Sequence, residues 1–516
     1  KLVGAIDTLA LLTQELEAKG ASIVRLRTLL FGASTEKTSQ VFPAAPAAPE
    51  SGADSQPGGA DKPADESLDK PAGRRPGHGR NGAASYPGAT TVCLKHGTLH
   101  AGERCPECLK GKLYVQPQPA VLVRIRGMAP LGATLYELER LRCSLCGEVF
   151  TATAPEGVGT EKYDPSAAAM IALLKYGCGL PFHRIEKLQR NLGIPLPAAT
   201  QWDLVDHAAH TITPAHQELI RQAAQGEIVH NDDTTMKLLE FGTSPFPEDE
   251  QSETRAGVYT TGIVSRAGEH DIALYFTGRK HAGENLARVL KERAAALPPP
   301  IQMCDALSHN TKNEFDTIVA NCLTHARRKF VEIVPSFPDQ CRYVLETLRE
   351  VYRNDATART EKMTPAARLA FHQEHSGPLM RGLLWWIYEQ LEQRNVEPNS
   401  TLGGAVNYLR KHWSKLTLFL RQPGAPLDNN ICERVLKKAI LHRKNALFYK
   451  TQHGADVGDL FMSLIHTAEL AKVDPFDYLV QLQRHPTQLK AKPGQWMPWN
   501  YRDTLAALST GPDPPP

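Results

Sequence analysis

The amino-acid sequence predicts a multidomain α+β protein. Three observations support this fold class: apolar residues recur every seven positions near the start, two Cys-x-x-Cys pairs are joined by strand-like segments, and a strand-rich region with one helix precedes long helical patterns. The chain has 516 residues, enough for several domains of about 100–200 residues each. We therefore expect small N-terminal units, then a central sheet, then helices.

The composition indicates a globular protein without membrane spans. Hydrophobic residues make up 41% of the chain and charged residues 22%, and no run approaches the roughly 18 apolar residues of a membrane helix. The formal net charge of +3 is too small to indicate a nucleic-acid partner by itself. The start of the chain lacks the basic and apolar segments of a secretory signal. Clustered cysteines favour metal binding in a reducing compartment, so we expect a cytoplasmic protein.

Residues 1–40 carry the pattern of a leucine-repeat coiled coil. Apolar side chains recur at every seventh position, namely Leu2, Leu9, Leu16, Ile23 and Leu30. Such a seam is buried against a second helix and favours self-association. Lys19, in the companion seam, would select the register or the oligomeric state. A helix that packs onto its own chain is the alternative interpretation.

Residues 41–90 change to a composition rich in Pro, Ala, Gly, Ser and Asp. Such a segment buries too little apolar surface to offset the entropy that is lost when it becomes ordered. We therefore predict a disordered linker between the coiled coil and the next domain.

Residues 91–155 contain the spacing of a zinc ribbon. Two Cys-x-x-Cys pairs lie on either side of strand-like segments and consist of Cys105, Cys108, Cys143 and Cys146. Each pair places two thiolates on one side of a tight loop, and two such loops form a tetrahedral site. Four thiolates leave no open position, so the zinc would be structural. Cys93 and His96 form a further pair, and whether it supplies a ligand stays open.

Residues 160–222 are predicted to form a helix-turn-helix region that binds DNA. Phe182–Asn191 has helical spacing, residues 193–197 break the pattern with glycine and prolines, and a second helix begins at residue 198. In a DNA-reading motif the first turns of the second helix reach the base edges. Thr200, Gln201 and Asp203 occupy those turns. An ordinary helical hairpin is the alternative.

The region from residue 226 onward switches to a strand period. Strand-like runs at residues 228–230, 257–265 and 270–276 are followed by a helical pattern and then by a fourth strand at residues 301–304. Asp232 follows the first run and Asp305 the fourth. This order is typical of a ribonuclease-H-like sheet, whose adjacent central strands bring such carboxylates together. Two Mg²⁺ ions require carboxylates that converge from different elements.

A third carboxylate is predicted on a later helix. Asp428 or Asn429 can cap that helix, and Glu433 lies in its first turn. Basic residues surround the predicted site on two helical segments, and they are Arg327, Arg328, Lys329, Arg434, Lys437, Lys438, Arg443 and Lys444. Carboxylates would hold the metal, whereas the flanking cations would contact the phosphate backbone. A solvated helix face is the alternative for the first three.

The long segment between Asp305 and Glu433 predicts a helical insertion at residues 336–423, which divides a catalytic core at residues 226–335 and 424–470. A C-terminal extension would follow at residues 471–516. Within the insertion, Trp385 and Trp386 would either stack on a distorted base or pack in the core. At its border, Cys322 and His325 would either join a second metal or form a core cysteine beside a polar histidine.

Several ordered motifs resemble those of the DDE transposases of the insertion-sequence sixty-six family, nearly from end to end. The leucine repeat ends at residues 25–37 as the family's repeat does, and the cysteine pairs resemble its zinc-binding domain. Residues 229–234 resemble its His-x-Asp-Glu-Thr block, and residues 322–330 match its Cys-x-x-His-Ala-Arg-Arg-Lys-Phe block. Residues 429–434 and 443–448 resemble its Asn-x-x-Glu-Arg and Arg-Lys-Asn-x-x-Phe blocks.

The resemblance implies that Asp232, Asp305 and Glu433 are the catalytic, magnesium-binding triad. Asp233 stands where the family usually has Glu. Strand alternation directs the two adjacent acids to opposite faces, so that only one of them can coordinate. Asp305 is followed by Ala306 rather than by the family's usual Gly-Tyr, but it remains the best candidate because it ends an apolar strand.

The function that the resemblance implies is Mg²⁺-dependent DNA strand cleavage and strand transfer at the ends of a mobile element. Two Mg²⁺ ions would be bound, with Mn²⁺ as a substitute. The expected partners are the terminal repeats, the target DNA, a second protomer in a homodimer or higher assembly, and accessory proteins of the same element. The setting would be the bacterial cytoplasm, in association with the nucleoid. A non-catalytic DNA-binding regulator derived from a transposase, and a metal-dependent nuclease, are the alternatives.

Overall fold

The computed structural model describes residues 161–241, 257–311 and 315–509, together with shorter stretches between residues 100 and 156. The predicted coiled coil and linker lie outside the described residues. So do the residues predicted to bind zinc or to lie beside the zinc, namely Cys93, His96, Cys105, Cys108, Cys143 and Cys146. The described residues belong to two compact units, which divide at residue 130.

Only short pieces of the predicted zinc domain are described. In the smaller unit, Arg104 and Lys112 form an isolated antiparallel bridge. In the larger unit, strand β1 (Arg140–Arg142) pairs antiparallel with β2 (Val149–Thr151). The strand β1 thus lies at the end of the strand-like region that the sequence predicts between the two cysteine pairs.

A five-stranded mixed sheet forms the centre of the larger unit. Its strands are β3 (Ile228–Met236), β4 (Val258–Ala267), β5 (His270–Gly278), β6 (Ile301–Cys304) and β7 (Ile318–Asn321). The strands lie in the order β5-β4-β3-β6-β7. The first three pair antiparallel, whereas β3, β6 and β7 run parallel to one another. The strands that precede Asp305 and contain Asp232 are therefore neighbours, as the sequence predicts.

The two hairpin strands β4 and β5 are buried over most of their length. They are rich in β-branched and aromatic residues, which fit a pleated surface that is covered by helices. Gly268 adopts a φ of 59° in the turn between them, a left-handed conformation that the two-residue turn requires. The strand β7, in contrast, has only four residues and was not predicted.

The helices α1 (Pro165–Ala172), α2 (Phe182–Asn191) and α3 (Ala198–Ala223) precede the sheet. The first begins where the Asp164 side chain accepts a hydrogen bond of 2.8 Å from Ser166 N, a typical N-cap. A π-helical turn at Leu173–Gly177 continues it. The helix α3 packs against β4 and β5, so this helical region shares the core of the sheet.

The predicted break between α2 and α3 is confirmed, but the interpretation of Gln201 as a residue facing DNA is wrong. The Gln201 side chain is completely buried. Its amide donates hydrogen bonds to Leu196 O at 2.9 Å and to Phe182 O at 3.2 Å. Gln201 therefore stabilises the turn between α2 and α3. The second helix begins at the predicted residue 198 and continues to Ala223.

Further helices cover opposite faces of the sheet. They are α4 (Ala282–Leu290), α10 (Asn430–Ala446) and α11 (Gln452–Leu470). Thr261 accepts a hydrogen bond of 2.8 Å from Asn285 of α4, whereas the next residue, Gly262, faces Leu436 of α10. Because successive residues of a strand point to opposite faces, α4 and α10 lie on different sides of the sheet.

The segment between the two parts of the predicted core is helical. The helix α5 (Leu323–Ile333) ends the first part of that core, and the segment itself contains α6 (Pro338–Thr360), α7 (Pro365–His375), α8 (Gly377–Glu392) and α9 (Thr401–Leu416). Side chains of α5, α6, α8 and α9 form a second apolar cluster that also includes Ile301, Met303 and Ala320 of the parallel strands. The helices therefore pack directly against the parallel edge of the sheet.

The chain ends in α12 (Pro475–Arg484), α13 (Pro486–Ala491) and α14 (Tyr501–Ser509). Tyr478 of α12 is buried and donates a hydrogen bond of 2.9 Å to Trp496 O. Both residues belong to the apolar cluster of the sheet, so this extension is an integral part of the core. Among the described residues, no helix combines the length and the apolar character needed to cross a bilayer.

Candidate active site

Asp232 and Asp305 lie at equivalent positions of two parallel strands. His230 of β3 is paired with Met303 of β6, and each acid follows its paired residue by two positions. Since residues two apart point to the same face, this register directs both carboxylates to one side of the sheet, at the end of β6. Burial, together with the negative charge of Asp305, raises the pKa of Asp232 to about 7.

The loop after β6 holds Asp305 in place. The Asp305 carboxylate accepts a hydrogen bond of 3.1 Å from Leu307 N and another from the buried amide of Asn310. The Asp305 carbonyl accepts a hydrogen bond of 3.2 Å from Asn321 at the end of β7. A turn fixed at three points therefore presents this carboxylate.

Glu433 reaches the same region from the first turn of α10. Its charge also contributes to the raised pKa of Asp232. Asp232 is paired across the sheet with Gly262, and Cys432 donates a hydrogen bond of 3.2 Å from Sγ to Gly262 O. The start of α10 thus lies on the face to which Asp232 points. The three predicted acids therefore lie on one face of the sheet, close enough for Asp305 and Glu433 to act on the pKa of Asp232. They are not one of the groups of described residues whose potential ligand atoms all lie within 4.8 Å of one another.

Asn429 attaches the start of α10 to the central strand. Its side-chain oxygen lies 3.0 Å from Nδ1 of His230, and its amide donates a hydrogen bond of 3.2 Å to Asn231 O. Its backbone N donates to Cys322 Sγ at 3.3 Å. Of the two predicted caps, it is Asp428 that accepts the N–H of Asn430, at 3.1 Å. Asn429 has a positioning role that the sequence did not predict.

Asp233 is directed to the opposite face of the sheet. It is paired with Thr261, the residue that faces α4. Its Oδ2 lies 2.9 Å from His281 Nδ1 and accepts a hydrogen bond of 3.3 Å from Ala282 N. The alternation predicted for the two adjacent acids is confirmed, and it separates Asp233 from the other carboxylates.

His325 lies beside Glu433, which the sequence did not indicate. Nε2 of His325 is 3.8 Å from Oε1 of Glu433. Cys322 is also close, since one potential ligand atom each of Cys322, His325 and Glu433 lies within 4.8 Å of the other two. Glu433 Oε1 is buried and makes no hydrogen bond to the described residues. Burial raises the pKa of the Cys322 thiol to about 12, so this cysteine is protonated at neutral pH.

Residues 161–457, more than half of the chain, match the Transposase IS66 family. The chain belongs to this transposase family. Two relatives come from Sinorhizobium fredii (strain NBRC 101917 / NGR234). Uncharacterized protein y4hP is 25% identical over 388 residues, which cover 72% of this chain and 68% of the relative. Uncharacterized protein y4jD is 25% identical over 346 residues, which cover 65% of each chain. The chain thus spans about two thirds of the length of these relatives.

The predicted DNA-contacting residues of this transposase divide into two groups. Arg434, Lys437, Lys444 and Lys329 are exposed. Arg327, in contrast, is only 8% exposed, because it lies on the inner side of α5. The prediction that Arg327 contacts phosphate is therefore wrong.

Two other predicted cations of the transposase have partners within the protein. Arg443 donates hydrogen bonds to Thr234 Oγ1 at 3.1 Å and to Thr235 Oγ1 at 2.7 Å, and it also reaches Thr235 O. Lys438 lies 3.2 Å from Glu469. Arg443 thus stabilises the end of β3, a structural role that the sequence did not predict.

A cavity of about 200 Å³ adjoins the acidic site of the transposase. Asp305 and Glu332 supply acidic groups to its wall, whereas Arg328 and Lys329 supply basic ones. Lys329 lies with Nζ 4.6 Å from the centre of the Tyr408 ring. This cavity joins carboxylates to cations, the combination that a phosphodiester with a bound metal requires.

The two tryptophans of the helical segment have different surroundings. Trp385 is 76% exposed, so core packing does not apply to it. Trp386 is half-buried and packs against Tyr343, with the ring centres 5.4 Å apart. Core packing therefore describes only the second tryptophan.

Proposed function

We propose that this transposase binds the ends of a mobile DNA element and catalyses Mg²⁺-dependent DNA strand cleavage and strand transfer. The observation that carries the proposal is that the strand register and the contact between Cys432 and Gly262 direct Asp232, Asp305 and the start of the Glu433 helix to one face of the sheet. Family membership supports the reaction class. The three acids come from a central strand, an adjacent loop and a helix, as a metal-dependent polynucleotidyl transferase requires.

The proposed core is ribonuclease-H-like. Three antiparallel strands are followed by two parallel ones, and the first strand lies at the centre. This strand order supports the proposed core at residues 226–335 and 424–470. The helices between these segments would form its insertion.

The chemistry of the donors fits magnesium. The three acids offer only oxygen ligands, which hard divalent cations prefer. Burial and repulsion from the Asp305 carboxylate disfavour the ionised form of Asp232 in the metal-free protein. A bound cation would offset the desolvation cost and reduce the repulsion. Glu433 Oε1, which lacks a hydrogen bond to the described residues, would gain a partner. Asp232, Asp305 and Glu433 would therefore hold the ions.

The roles of the side chains follow from their positions. When bound, two Mg²⁺ ions would favour attack by water or by a 3′-OH and would stabilise the leaving 3′ oxygen. Water would first cleave the phosphodiester at the transposon end, and the freed 3′-OH would then attack target DNA in line. Arg328 and Lys329 would hold the strand beside Asp305 through its phosphates. The protein would form no covalent bond to DNA.

The remaining segments would recognise and pair the DNA ends. The zinc ribbon and the helix-turn-helix region would grip the terminal repeats, with Zn²⁺ held by Cys105, Cys108, Cys143 and Cys146. The leucine repeat would join protomers, so that one assembly holds two ends. Accessory proteins of the same element would complete it.

A strand-transfer assay with a labelled terminal repeat tests the proposal. Wild type should cleave the repeat and join it to target DNA in the presence of Mg²⁺. Asp232→Asn, Asp305→Asn and Glu433→Gln should each lose both products but retain end binding. Asp271→Asn, which removes a surface ion pair with Arg266, should behave as wild type. Cleavage without joining would indicate a nuclease, and binding without cleavage by wild type would indicate a non-catalytic regulator.

A further inference from the structure

Asp233, His281 and His309 form a cluster on the face of the sheet opposite to Asp232. One potential ligand atom of each lies within 4.8 Å of the other two. Asp233 Oδ2 is 2.9 Å from His281 Nδ1, and the ring centres of His281 and His309 are 4.6 Å apart. The three residues belong to β3, to the cap of α4 and to the turn Ser308–Asn310. Three separate elements thus converge here.

We propose that Asp233, His281 and His309 bind a first-row transition-metal ion of the Zn²⁺ type, at a site distinct from the catalytic acids. Two imidazoles and one carboxylate are donors that suit zinc, whereas magnesium prefers oxygen ligands alone. Metal–ligand bonds are about 2.0–2.2 Å long, so small side-chain rotations would close the cluster around an ion. Three protein ligands leave one position for water.

The backbone around the cluster is already held in position. Asn231 and Gln302 donate hydrogen bonds of 3.0 and 2.8 Å to Asn310 O, which fixes the turn that carries His309. That turn packs so closely on α4 that a Cβ at Gly283 would lie 2.7 Å from His309 O. Binding would therefore require little ordering of the chain, which lowers its entropic cost.

Solvent access to the cluster is limited but present. The His281 side chain is 19% exposed and that of Asp233 is 10% exposed. An ion can therefore enter, while the partly dry surroundings strengthen its attraction to the carboxylate. The bound ion would connect β3 and α4 to the loop that presents Asp305. It would thus stabilise the positions of Asp232 and Asp305 from the opposite face of the sheet.

Zinc content, measured by mass spectrometry after equilibrium dialysis of the full chain, tests this site. Excess Mg²⁺ is included to occupy oxygen-only sites, since it competes poorly for imidazole. His309→Asn and His281→Asn remove one ligand each, and asparagine at position 281 retains a good helix cap. Each variant should lose about one equivalent of zinc relative to wild type. The zinc-induced rise in unfolding temperature should also decrease.

Two controls separate this site from others. His375→Asn changes an exposed histidine that contacts Phe371, and it should keep the wild-type zinc content. Asp232→Asn should keep it as well, because Asp232 lies on the other face. Circular dichroism without zinc checks folding, and His309→Asn decides the outcome if His281→Asn is unfolded. Wild-type zinc content in a folded His309→Asn variant would overturn the proposal, whatever the strand-transfer assay shows.

Discussion

Asn429 and His230 connect the helix that carries Glu433 to the strand that carries Asp232, through a side-chain contact of 3.0 Å. Both residues are buried. The low dielectric raises the cost of an unpaired group there, so the contact fixes the spacing of two acids that are 201 residues apart in the sequence.

Replacing Asn429 with alanine should impair both stability and catalysis. Asn429→Ala removes the contacts to His230 and Asn231 and leaves buried groups unsatisfied, which costs about 1–3 kcal/mol in the free energy of unfolding. Displacement of α10 should also reduce strand cleavage more than the stability loss explains. Asn430→Ala, at the exposed neighbouring position, is the control. Equal effects of the two variants on cleavage would contradict the positioning role.

Gly262 allows the close approach of α10 to the sheet. A Cβ at this position would lie 3.0 Å from Leu436 Cγ and 3.1 Å from its Cδ2. Gly262→Ala should therefore push the helix away and destabilise the protein by about 1–3 kcal/mol, with a loss of strand cleavage. Chemical denaturation and the cleavage assay measure the two effects.

Gly404 in α9 provides the matched control for Gly262. A Cβ there would meet no atom of the described residues within 4 Å. Gly404→Ala should be neutral or should stabilise the helix by up to about 1 kcal/mol. A stable and active Gly262→Ala variant would show that the position of α10 does not depend on its close packing against Gly262.

The raised pKa of Asp232 predicts how the stability of the metal-free protein depends on pH. Burial and Asp305 raise this pKa from 3.8 to about 7. The folded state therefore binds more protons between these values, and the free energy of unfolding should fall as pH rises from about 4 to about 7. The side chain in Asp232→Asn stays neutral. The free energy of unfolding of this variant should therefore exceed that of wild type by about 1–3 kcal/mol at about pH 8.

Urea denaturation in the presence of a chelator measures this difference. In a second series, Mg²⁺ replaces the chelator. Mg²⁺ should stabilise wild type at alkaline pH but should not stabilise Asp232→Asn. Asp271→Asn, which lacks only a surface carboxylate, should follow the wild-type pH profile. Parallel profiles of wild type and Asp232→Asn would show that Asp232 does not carry the expected repulsion.

Lys329 should contribute to DNA binding through phosphate contact. It is exposed and lies at the cavity beside Asp305. Lys329→Ala should weaken binding of any DNA sequence and reduce the slope of log affinity against log salt by about 0.9. Lys490→Ala, an exposed lysine of the C-terminal helices, should leave that slope unchanged. Fluorescence anisotropy over a range of salt concentrations measures both slopes.

Arg327 should behave differently from its neighbour Lys329 because it is buried. Arg327→Ala should lower the free energy of unfolding by about 1–3 kcal/mol. A folded variant should keep the wild-type salt slope. A reduced salt slope without loss of stability would instead support the contact between Arg327 and phosphate that the sequence predicts.

The strands and the positions of the acids could be predicted because they depend on local patterns. The start of β3 and the strands β4, β5 and β6 carry strand-like runs in the sequence, and Asp232 and Asp305 follow the first and the last of these runs. The structure extends β3 beyond its predicted run to Met236, so that Asp232 lies within the strand. The opposite orientation of Asp233 follows from the two-residue period alone. The strand β7 escaped prediction because four residues give too short a pattern.

The roles that depend on tertiary contacts could not be predicted. Gln201, Arg327 and Arg443 are polar residues on helices, a pattern that favours exposure. Their burial or partners depend on which helix face meets the rest of the chain. The proximity of His325 to Glu433 likewise joins two helices that are distant in sequence. The CxxH spacing indicated only that Cys322 and His325 share a helical region.

A crystal structure of the full chain with Mn²⁺ and a DNA end, with anomalous scattering recorded for manganese, tests whether the three acids form one metal site. We expect manganese bound by Asp232, Asp305 and Glu433, with two ions about 3.5–4 Å apart beside the scissile phosphate. Manganese bound elsewhere, with Glu433 turned away from the two aspartates, would contradict it.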